Sequence, residues 1–379
     1  MVAEILLAMG VMLLVAKILG ELVERVGVAS LVGEIAAGVV LGPILGWIVI
    51  GDFLQGFLTF GVIFLLFIAG LEVRFEDIKK YTYKAGFLAA AGGLISFLFG
   101  FLVGMFFFNN MLIAIAIGTV MISTSNGALF LLLMRSGEFD SQTGKLIIAI
   151  TIADDIVGIL SLSFFNMYVH QSIAISQMFT VFLVSIGFYV FILEFGSKKI
   201  GNFLDRINIF RDENILFTVP IAIAFLLAYV TNNLGLSVAT GAFLAGMAMA
   251  NSQFTEPIIT QKVNIMAKGF LVPLFYASIG TLLIFANLNV LLVVAIIAAA
   301  LLGKLIGCGL FSWFVGASRD EMKLIGVSMM PRGDENIVIL QIVLLLGVIT
   351  TAVYTSLVFA IVATTIIAPI LIKLIYRKR

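Results

Sequence analysis

The chain has 379 residues, 62% of them hydrophobic and only 11% charged, whereas soluble globular domains run near one-quarter charged. Twenty-two Lys and Arg against 21 Asp and Glu leave a net charge of +1, which gives no nucleic-acid footprint. One cysteine, Cys308, and one histidine, His170, exclude an internal disulfide and any cysteine or multi-histidine metal cluster.

A membrane-crossing helix takes about 20 apolar residues. Long apolar runs predict thirteen such spans, at 2–20, 28–46, 53–71, 84–108, 111–134, 146–168, 173–196, 214–231, 233–250, 265–286, 289–315, 322–347 and 350–375. The expected fold class is therefore an all-α membrane protein. Glu4, with no basic segment before the first apolar run, reads as part of a span and not of a cleaved signal. The ninth span is short and rich in Gly and Ala; the fifth and twelfth are interrupted by polar residues.

Basic residues mark the cytoplasmic side of a membrane protein. They occupy the odd-numbered connections: Lys17 and Arg25 at the first, then Arg74, Lys79, Lys80 and Lys84, then Arg135 and Lys145. Lys198, Lys199, Arg206 and Arg211 follow, then Lys262 and Lys268, Arg319 and Lys323, and the tail with Lys373, Arg377, Lys378 and Arg379. The even-numbered connections carry none. Thirteen spans with the N-terminus outside and the C-terminus in the cytoplasm, in the cell membrane, satisfy this pattern. With so little chain after the last span, no soluble regulatory domain is expected.

Shifting the sequence by 208 residues brings Gly27, Gly33, Ala37 and Gly38 onto Gly235, Gly241, Ala245 and Gly246. The same shift brings Leu66, Phe67 and Ala69 onto Leu274, Phe275 and Ala277, and Thr124-Ser125-Asn126 onto Arg332-Gly333-Asp334. Each span lands on the one seven later, an odd number, so the halves are inverted in the membrane. Inverted repeats with paired broken helices are a secondary-transporter pattern, and the breaks point to the binding site.

The costly charged residues within the spans are Glu34, Asp154, Asp155, Lys304, Arg332, Asp334 and Glu335. A charge there costs several kcal/mol unless paired or in a wet cavity. Asp154, Asp155, Lys304, Arg332 and Ser123 to Asn126 each lie about ten residues from a cytoplasmic end. At 1.5 Å per residue that is roughly 15 Å, half of a ~30 Å core. Four spans thus deliver polar groups to the midplane. Ser123, Thr124, Ser125 and Asn126 are a run of N-cap residues, and Met330-Pro331-Arg332-Gly333 joins a helix breaker to a hinge. Freed carbonyls and hydroxyls are suitable ligands for a small dehydrated cation. Arg332 near a negative half-helix end, with Asp334 and Glu335 opening a positive one, fits dipole compensation; direct ion handling is the other reading of this trio.

Asp154 and Asp155 point about 100° apart around their helix, so one can face a partner helix and the other a cavity. With Lys304 they form a coupled titrating set. A carboxylate holding either a proton or a metal ion, beside a lysine that pairs with it when the ion is absent, makes the two ligands compete. A structural salt bridge would suit one Asp with Lys304 but leave the second unpaired. Glu34, nearer the cytoplasm, reads as lining a funnel or as packing; His170 reads as solvated on an outer connection, and Cys308 as core.

At these residues the chain resembles a monovalent cation:proton antiporter of the branch with NapA-type sodium and Kef-type potassium exchangers. The resemblance spans nearly the whole length. It rests on Leu31-Val-Gly-Glu-Ile-Ala-Ala-Gly-Val-Val-Leu-Gly-Pro43, Phe64-Leu-Leu-Phe-Ile-Ala-Gly-Leu-Glu72 and Ser123-Thr-Ser-Asn126, with Ala153-Asp-Asp-Ile156, Gly241-Ala-Phe-Leu-Ala-Gly246, Met330-Pro-Arg-Gly333 and Lys304. It implies a transporter and no enzyme, with no cofactor beyond the transported sodium (or lithium) and protons, acting in pH homeostasis. It implies a homodimer in the lipid bilayer, with scaffold helices in 1–83 and 213–286, a linker helix in 171–212, and core helices in 84–170 and 287–379 that move as an elevator. By carry-over Asp155 is the ion-binding carboxylate and Asp154 the partner of Lys304, both lying at the sodium site with Ser123, Thr124 and Ser125, and exchange of two protons per sodium is electrogenic. Asp334-Glu335-Asn336 departs from the Gly-Glu-Val more common in relatives. The remaining readings are potassium/proton exchange on the same residues and a sodium-coupled organic-anion symporter.

Overall fold

The computed structural model describes residues 2–48, 52–72, 82–126, 129, 133, 138–139, 141–171, 214–233, 237–250 and 255–376. Among them the chain is helical throughout its regular structure, with no strand. In chain order the helices are α1 (Val2–Arg25), α2 (Ser30–Val39), α3 (Asp52–Leu71), α4 (Thr82–Phe108), α5 (Met111–Val120), α6 (Gln142–Gln171) and α7 (Ile215–Asn233). They continue with α8 (Val238–Met249), α9 (Gln261–Met266), α10 (Val272–Thr281), α11 (Val290–Lys304), α12 (Arg319–Ser328), α13 (Asp334–Leu345) and α14 (Thr351–Tyr376). The expected span at 173–196 lies outside the described residues.

Seven helices among the described residues are long and apolar enough to cross a membrane, and shorter apolar ones run over Ser30–Ile44, Leu58–Leu71, Met111–Val120 and Val238–Met249. Leu6, Leu7, Leu14 and Ile18 on α1 and Leu98, Leu102 and Phe106 on α4 are exposed. Large apolar side chains so displayed suit contact with lipid. The molecule is a multi-pass membrane protein.

Several ends differ from the apolar windows. The tenth span was expected from 265, yet helix runs unbroken from Thr255 through α9 and α10 to Thr281, so Lys262 and Lys268 stand on helix and not in a connection. Likewise α1 continues to Arg25, α7 takes in Thr231-Asn232-Asn233, and α6 takes in His170. Hydropathy marks where a helix leaves apolar surroundings, whereas backbone hydrogen bonds continue past that point. Wide π-turns occur at Val40–Ile44, Thr255–Thr260 and Ala267–Leu271, the first two containing Pro43 and Pro257 and the third preceding Pro273. Proline has no N–H and clashes with the carbonyl four residues back, so the ladder loosens there.

The chain forms two compact units. The first comprises Met1–Ile50, Ile78–Gly158 and Tyr276–Arg379; the second comprises Gly51–Asp77 and Ile159–Phe275. In the first, α1 and α2 meet where Gly33 approaches the Leu19 carbonyl: a Cβ there would lie 2.2 Å from its oxygen. In the second, a Cβ on Gly241 would lie 2.3 Å from the carbonyl oxygen of Leu227. Both residues of this contact map onto each other under the 208-residue shift, so the repeat is a packing repeat and not a coincidence of small residues. The π-turn Leu305–Gly309 directly follows Lys304. There Gly307 lies against Gly92 and Gly303 against Ser96, letting α11 and α4 approach closely, as small residues do between membrane helices.

Candidate functional site

The site is built where two helices stop and restart. Helix α5 ends at Val120, leaving Ser123 to Ser125 outside helical conformation, and α12 ends at Ser328, with α13 resuming at Asp334. Helix ends leave carbonyls and N–H groups without intrahelical partners, and in a membrane these must be satisfied by protein or water. The two breaks satisfy each other in part: Ser125 N donates to the Pro331 carbonyl at 2.9 Å. The neighbouring α14 supplies Thr364, whose Oγ1 accepts from Arg332 N at 3.2 Å, and Thr365, whose hydroxyl donates to the Arg332 carbonyl.

Arg332 is fully buried. Its guanidinium donates to the carbonyls of Ser123 at 2.6 Å, Ile122 at 3.4 Å and Ala300 at 3.2 Å, and to Ser96 Oγ at 3.2 Å. The positive charge therefore lies at the carbonyl end of α5, not at the end of its own half-helix. That end carries negative partial charge. Asn336 completes the cap, its Nδ2 donating to the carbonyls of Val120 at 2.7 Å and Ser123 at 2.9 Å while Oδ1 accepts from Gly333 N at 3.0 Å.

Beside these breaks, α6 presents its two aspartates to different partners. Lys304 Nζ donates to Asp154 Oδ1 at 2.5 Å, with both side chains fully buried, and Thr124 Oγ1 donates to Asp154 Oδ2 at 2.9 Å and shares its hydrogen with the Met329 carbonyl at 3.2 Å. Asp154 is thereby fully engaged. Asp155 accepts from Asn126 Nδ2 at 2.7 Å through Oδ2, whereas its buried Oδ1 has no hydrogen-bond partner. Glu335 brings its carboxyl beside that of Asp155 and within reach of Ser123. Both carboxyl oxygens of Glu335, the Ser123 hydroxyl and Asn126 Oδ1 are likewise buried without hydrogen-bond partners. Gly158, one turn beyond Asp154, makes room for Ser123: a Cβ would fall 1.9 Å from the serine oxygen.

Ser125 packs against Gly333, its hydroxyl 2.2 Å from where a Cβ would stand. Glu34 is not part of this group. It is buried and paired with Lys17 at 3.3 Å. Asp334 diverges from Glu335 around α13 and lies near Glu34 and the Tyr276 hydroxyl. Cys308 is buried in the apolar cluster of α4, α6 and α12.

The structure thus gathers Ser123, Thr124, Asp154, Asp155, Lys304, Arg332 and Glu335 and leaves Glu34 and Asp334 as a separate pair of acids. Sequence reasoning counted Asn126 among the N-cap residues of the first break and Lys17 among the residues marking the cytoplasmic side, and assigned no role to Asn336, Thr364, Thr365 or Tyr276. Asn126 and Asn336 carried a signal, being amides in otherwise apolar spans. The threonines carried none, because threonine is common on buried helices. Among the described residues no three Asp, Glu, His or Cys side chains gather as a metal-holding group.

A family model described as "Sodium/hydrogen exchanger, transmembrane" matches residues 10–378. An Na(+)/H(+) antiporter of Enterococcus hirae is 28% identical over 297 residues, covering 76% of each chain. The Na(+)/H(+)-K(+) antiporter GerN of Bacillus cereus is 27% identical over 281 residues, covering 74% of this chain and 72% of its own. The solved structure of the sodium proton antiporter MjNhaP1 from Methanocaldococcus jannaschii superposes with a TM-score of 0.76 at 16% identity, over 99% of both chains. At that identity the likeness speaks for the fold.

Proposed function

Because the chain belongs to the sodium/hydrogen exchanger family, we propose that it exchanges sodium or lithium for protons across the cell membrane, with Asp155 as the carboxylate for which the two ions compete. One observation carries this reading. Asp155 is buried with an oxygen left unpartnered, next to an aspartate already neutralised by Lys304. A carboxylate in that position must take up a proton or a cation, since a bare charge there is costly.

Antiport follows from that competition. With the site open outward, protons neutralise the carboxyls. After reorientation, sodium from the cytoplasm displaces them, and the loaded site returns. The moving part would be the core helices in 84–170 and 287–379, sliding as an elevator against a scaffold in 1–83 and 213–286, with a second copy on the scaffold. Gly38 packed on Ala277, and Gly246 on Phe67, support the scaffold grouping, because such close glycine contacts resist sliding. The charge pattern of the connections supports an outer N-terminus and a cytoplasmic C-terminus.

The test is proton flux in vesicles driven by sodium, lithium or potassium, with and without an imposed voltage. Sodium and lithium should drive flux, and Asp155→Asn should abolish it in a protein that still folds. Retained flux in that variant would remove Asp155 from its role. Potassium alone driving flux would favour the second reading, potassium/proton exchange, which the name of the Bacillus cereus relative motivates.

A further inference from the structure

The helix that carries the two aspartates is tied to α8 well away from them. Helix α6 runs through both compact units, Gly158 being the last residue of the first and Ile159 the first of the second. One turn on, Ser163 Oγ donates to the Ile159 carbonyl at 2.8 Å and lies 2.7 Å from Thr240 Oγ1 of α8. A serine hydroxyl has one hydrogen, so Thr240 donates the bond between the helices. Both residues are fully buried, as are Leu162 and Phe165 next to Ser163 in the chain and Phe243 one turn from Thr240. A hydroxyl in such surroundings is costly unless bonded. The other contacts of α8 are of a different kind. Gly241 admits the Leu227 carbonyl of α7 and Gly246 the Phe67 carbonyl of α3, a Cβ standing 2.3 Å from either oxygen. Backbones in such contact move together, whereas a bond between two side chains can open and re-form.

The pair lies toward the outer face. Ser163 is nine residues beyond Asp154, about 13 Å further along the helix. Thr240 is the third residue of α8, and the connection before it carries no Lys or Arg, as outer connections do. The 208-residue shift places Thr240 on Val32 and Ser163 on Leu371. Those side chains cannot hydrogen-bond, so the bond has no counterpart in the inverted half.

We propose that Ser163 and Thr240 are positioning residues whose bond is a latch: it closes α6 on α8 at the outer face and favours the conformation open to the cytoplasm. The proposal rests on the exchange reading above, with α6 in the moving part and α8 in the scaffold, and adds which conformation is favoured and by what bond. With inverted halves, the outward-open conformation closes the inner face through the counterparts of these two helices. There Val32 and Leu371 offer no such bond. Loss of the latch therefore shifts the population outward, by about two- to tenfold for a hydrogen bond of ordinary net strength. The apparent affinity of a ligand scales with the fraction of protein in the conformation that binds it. The outer and cytoplasmic faces should consequently respond differently to the same substitution.

The experiment compares the two faces. Sodium-driven proton flux is measured in right-side-out and inside-out membrane vesicles, which present the outer and the cytoplasmic face to added sodium. Thr240→Val removes the donor at nearly constant shape and leaves Ser163 its bond to Ile159. Its apparent sodium affinity should rise about two- to tenfold at the outer face and should not rise at the cytoplasmic face. Thr240→Ser, which keeps the hydroxyl, should match wild type at both faces. Adding Ser163→Ala to Thr240→Val should change little further, because both remove the same bond. An outer affinity that stays at the wild-type value, or that moves together with the cytoplasmic one, overturns the latch. If Thr240→Val does not fold, Ser163→Ala alone is read by the same two criteria. Absence of sodium-driven flux from wild type in both kinds of vesicle would instead sink the exchange reading itself.

Discussion

The two interrupted helices bring different chemistry to the same place. The first break, Met121 to Ser125, is neutral: its residues offer hydroxyls and backbone carbonyls. The second, Met329 to Gly333, is followed by acids and contains Arg332, whose charge is spent on the first break's carbonyls. The neutral break therefore presents carbonyls and hydroxyls, and the charged break supplies the cation that its carbonyls accept from. Repeat-related positions, Thr124 and Arg332, have diverged into a hydroxyl that bonds Asp154 and a buried cation. Symmetry of backbone does not imply symmetry of role.

That division can be broken at its most costly point. Arg332→Ala would leave the Ile122 carbonyl without its donor and take one donor each from the carbonyls of Ser123 and Ala300, and loss of one partner in a buried charged network costs about 3–5 kcal/mol. Against a total stability of roughly 5–15 kcal/mol, the variant should express poorly or melt far below wild type in detergent. Arg332→Lys should recover only part of the loss, because one ammonium cannot span four acceptors in a planar fork. A wild-type melting point for Arg332→Ala would refute the bracing role.

Next comes the amide that braces from the same side. Asn336→Leu frees the carbonyl of Val120 and the N–H of Gly333 and leaves the Ser123 carbonyl to Arg332 alone, which should cost about 1–3 kcal/mol. On the neutral side, Gly158→Ala should act through Ser123. The added methyl needs the space of the serine oxygen, and such overpacking costs about 1–3 kcal/mol. Its signature should be lowered sodium affinity in proton-flux assays with the melting point less affected, the reverse of the Asn336 variant. Equal effects of both on affinity would erase the distinction between ligand side and bracing side.

These contrasts also mark how far the sequence could be read. The breaks were legible because N-cap residues and a Pro-Arg-Gly run stand out in apolar spans, and the 208-residue repeat was legible because close helix contacts require glycine. The destination of Arg332 was not legible. A helix-dipole argument assigns an arginine to the nearest helix end in the chain, but the guanidinium reaches carbonyls some two hundred residues earlier, closing α5. Glu335 was ambiguous for the same reason: at a helix start an acid suits the dipole, and only the position of α6 puts Asp155 beside it. The helix ends at Arg25 and Thr255 were missed because polar residues continued a helix beyond its apolar stretch.

The smallest expected effect separates the outer ends of the same two half-helices. Helix α5 opens on a neutral cap, Asn110 Oδ1 accepting from Leu112 N at 2.9 Å and Ile113 N at 3.1 Å. Helix α12 opens on a charged box: Ser318 N donates to Glu321 Oε2 at 2.7 Å, Ser318 Oγ accepts from Glu321 N at 3.3 Å, and Thr143 donates to Glu321 Oε1 at 3.0 Å. The bonds from Ser318, backbone first, hold the Glu321 carboxyl below its ordinary value of 4.5. A depressed folded value means that the box contributes stability above the unfolded pKa and loses it as pH falls through the folded one. Glu321 is only half-buried, so solvent screening keeps the contribution under about 1 kcal/mol. Glu321→Gln should lower the melting point slightly at neutral pH and remove that part of the acid sensitivity below pH 4.5, whereas Asn110→Ala should cost a similar amount with no pH dependence. Parallel pH profiles for the two variants would show that the charged box behaves as a neutral cap.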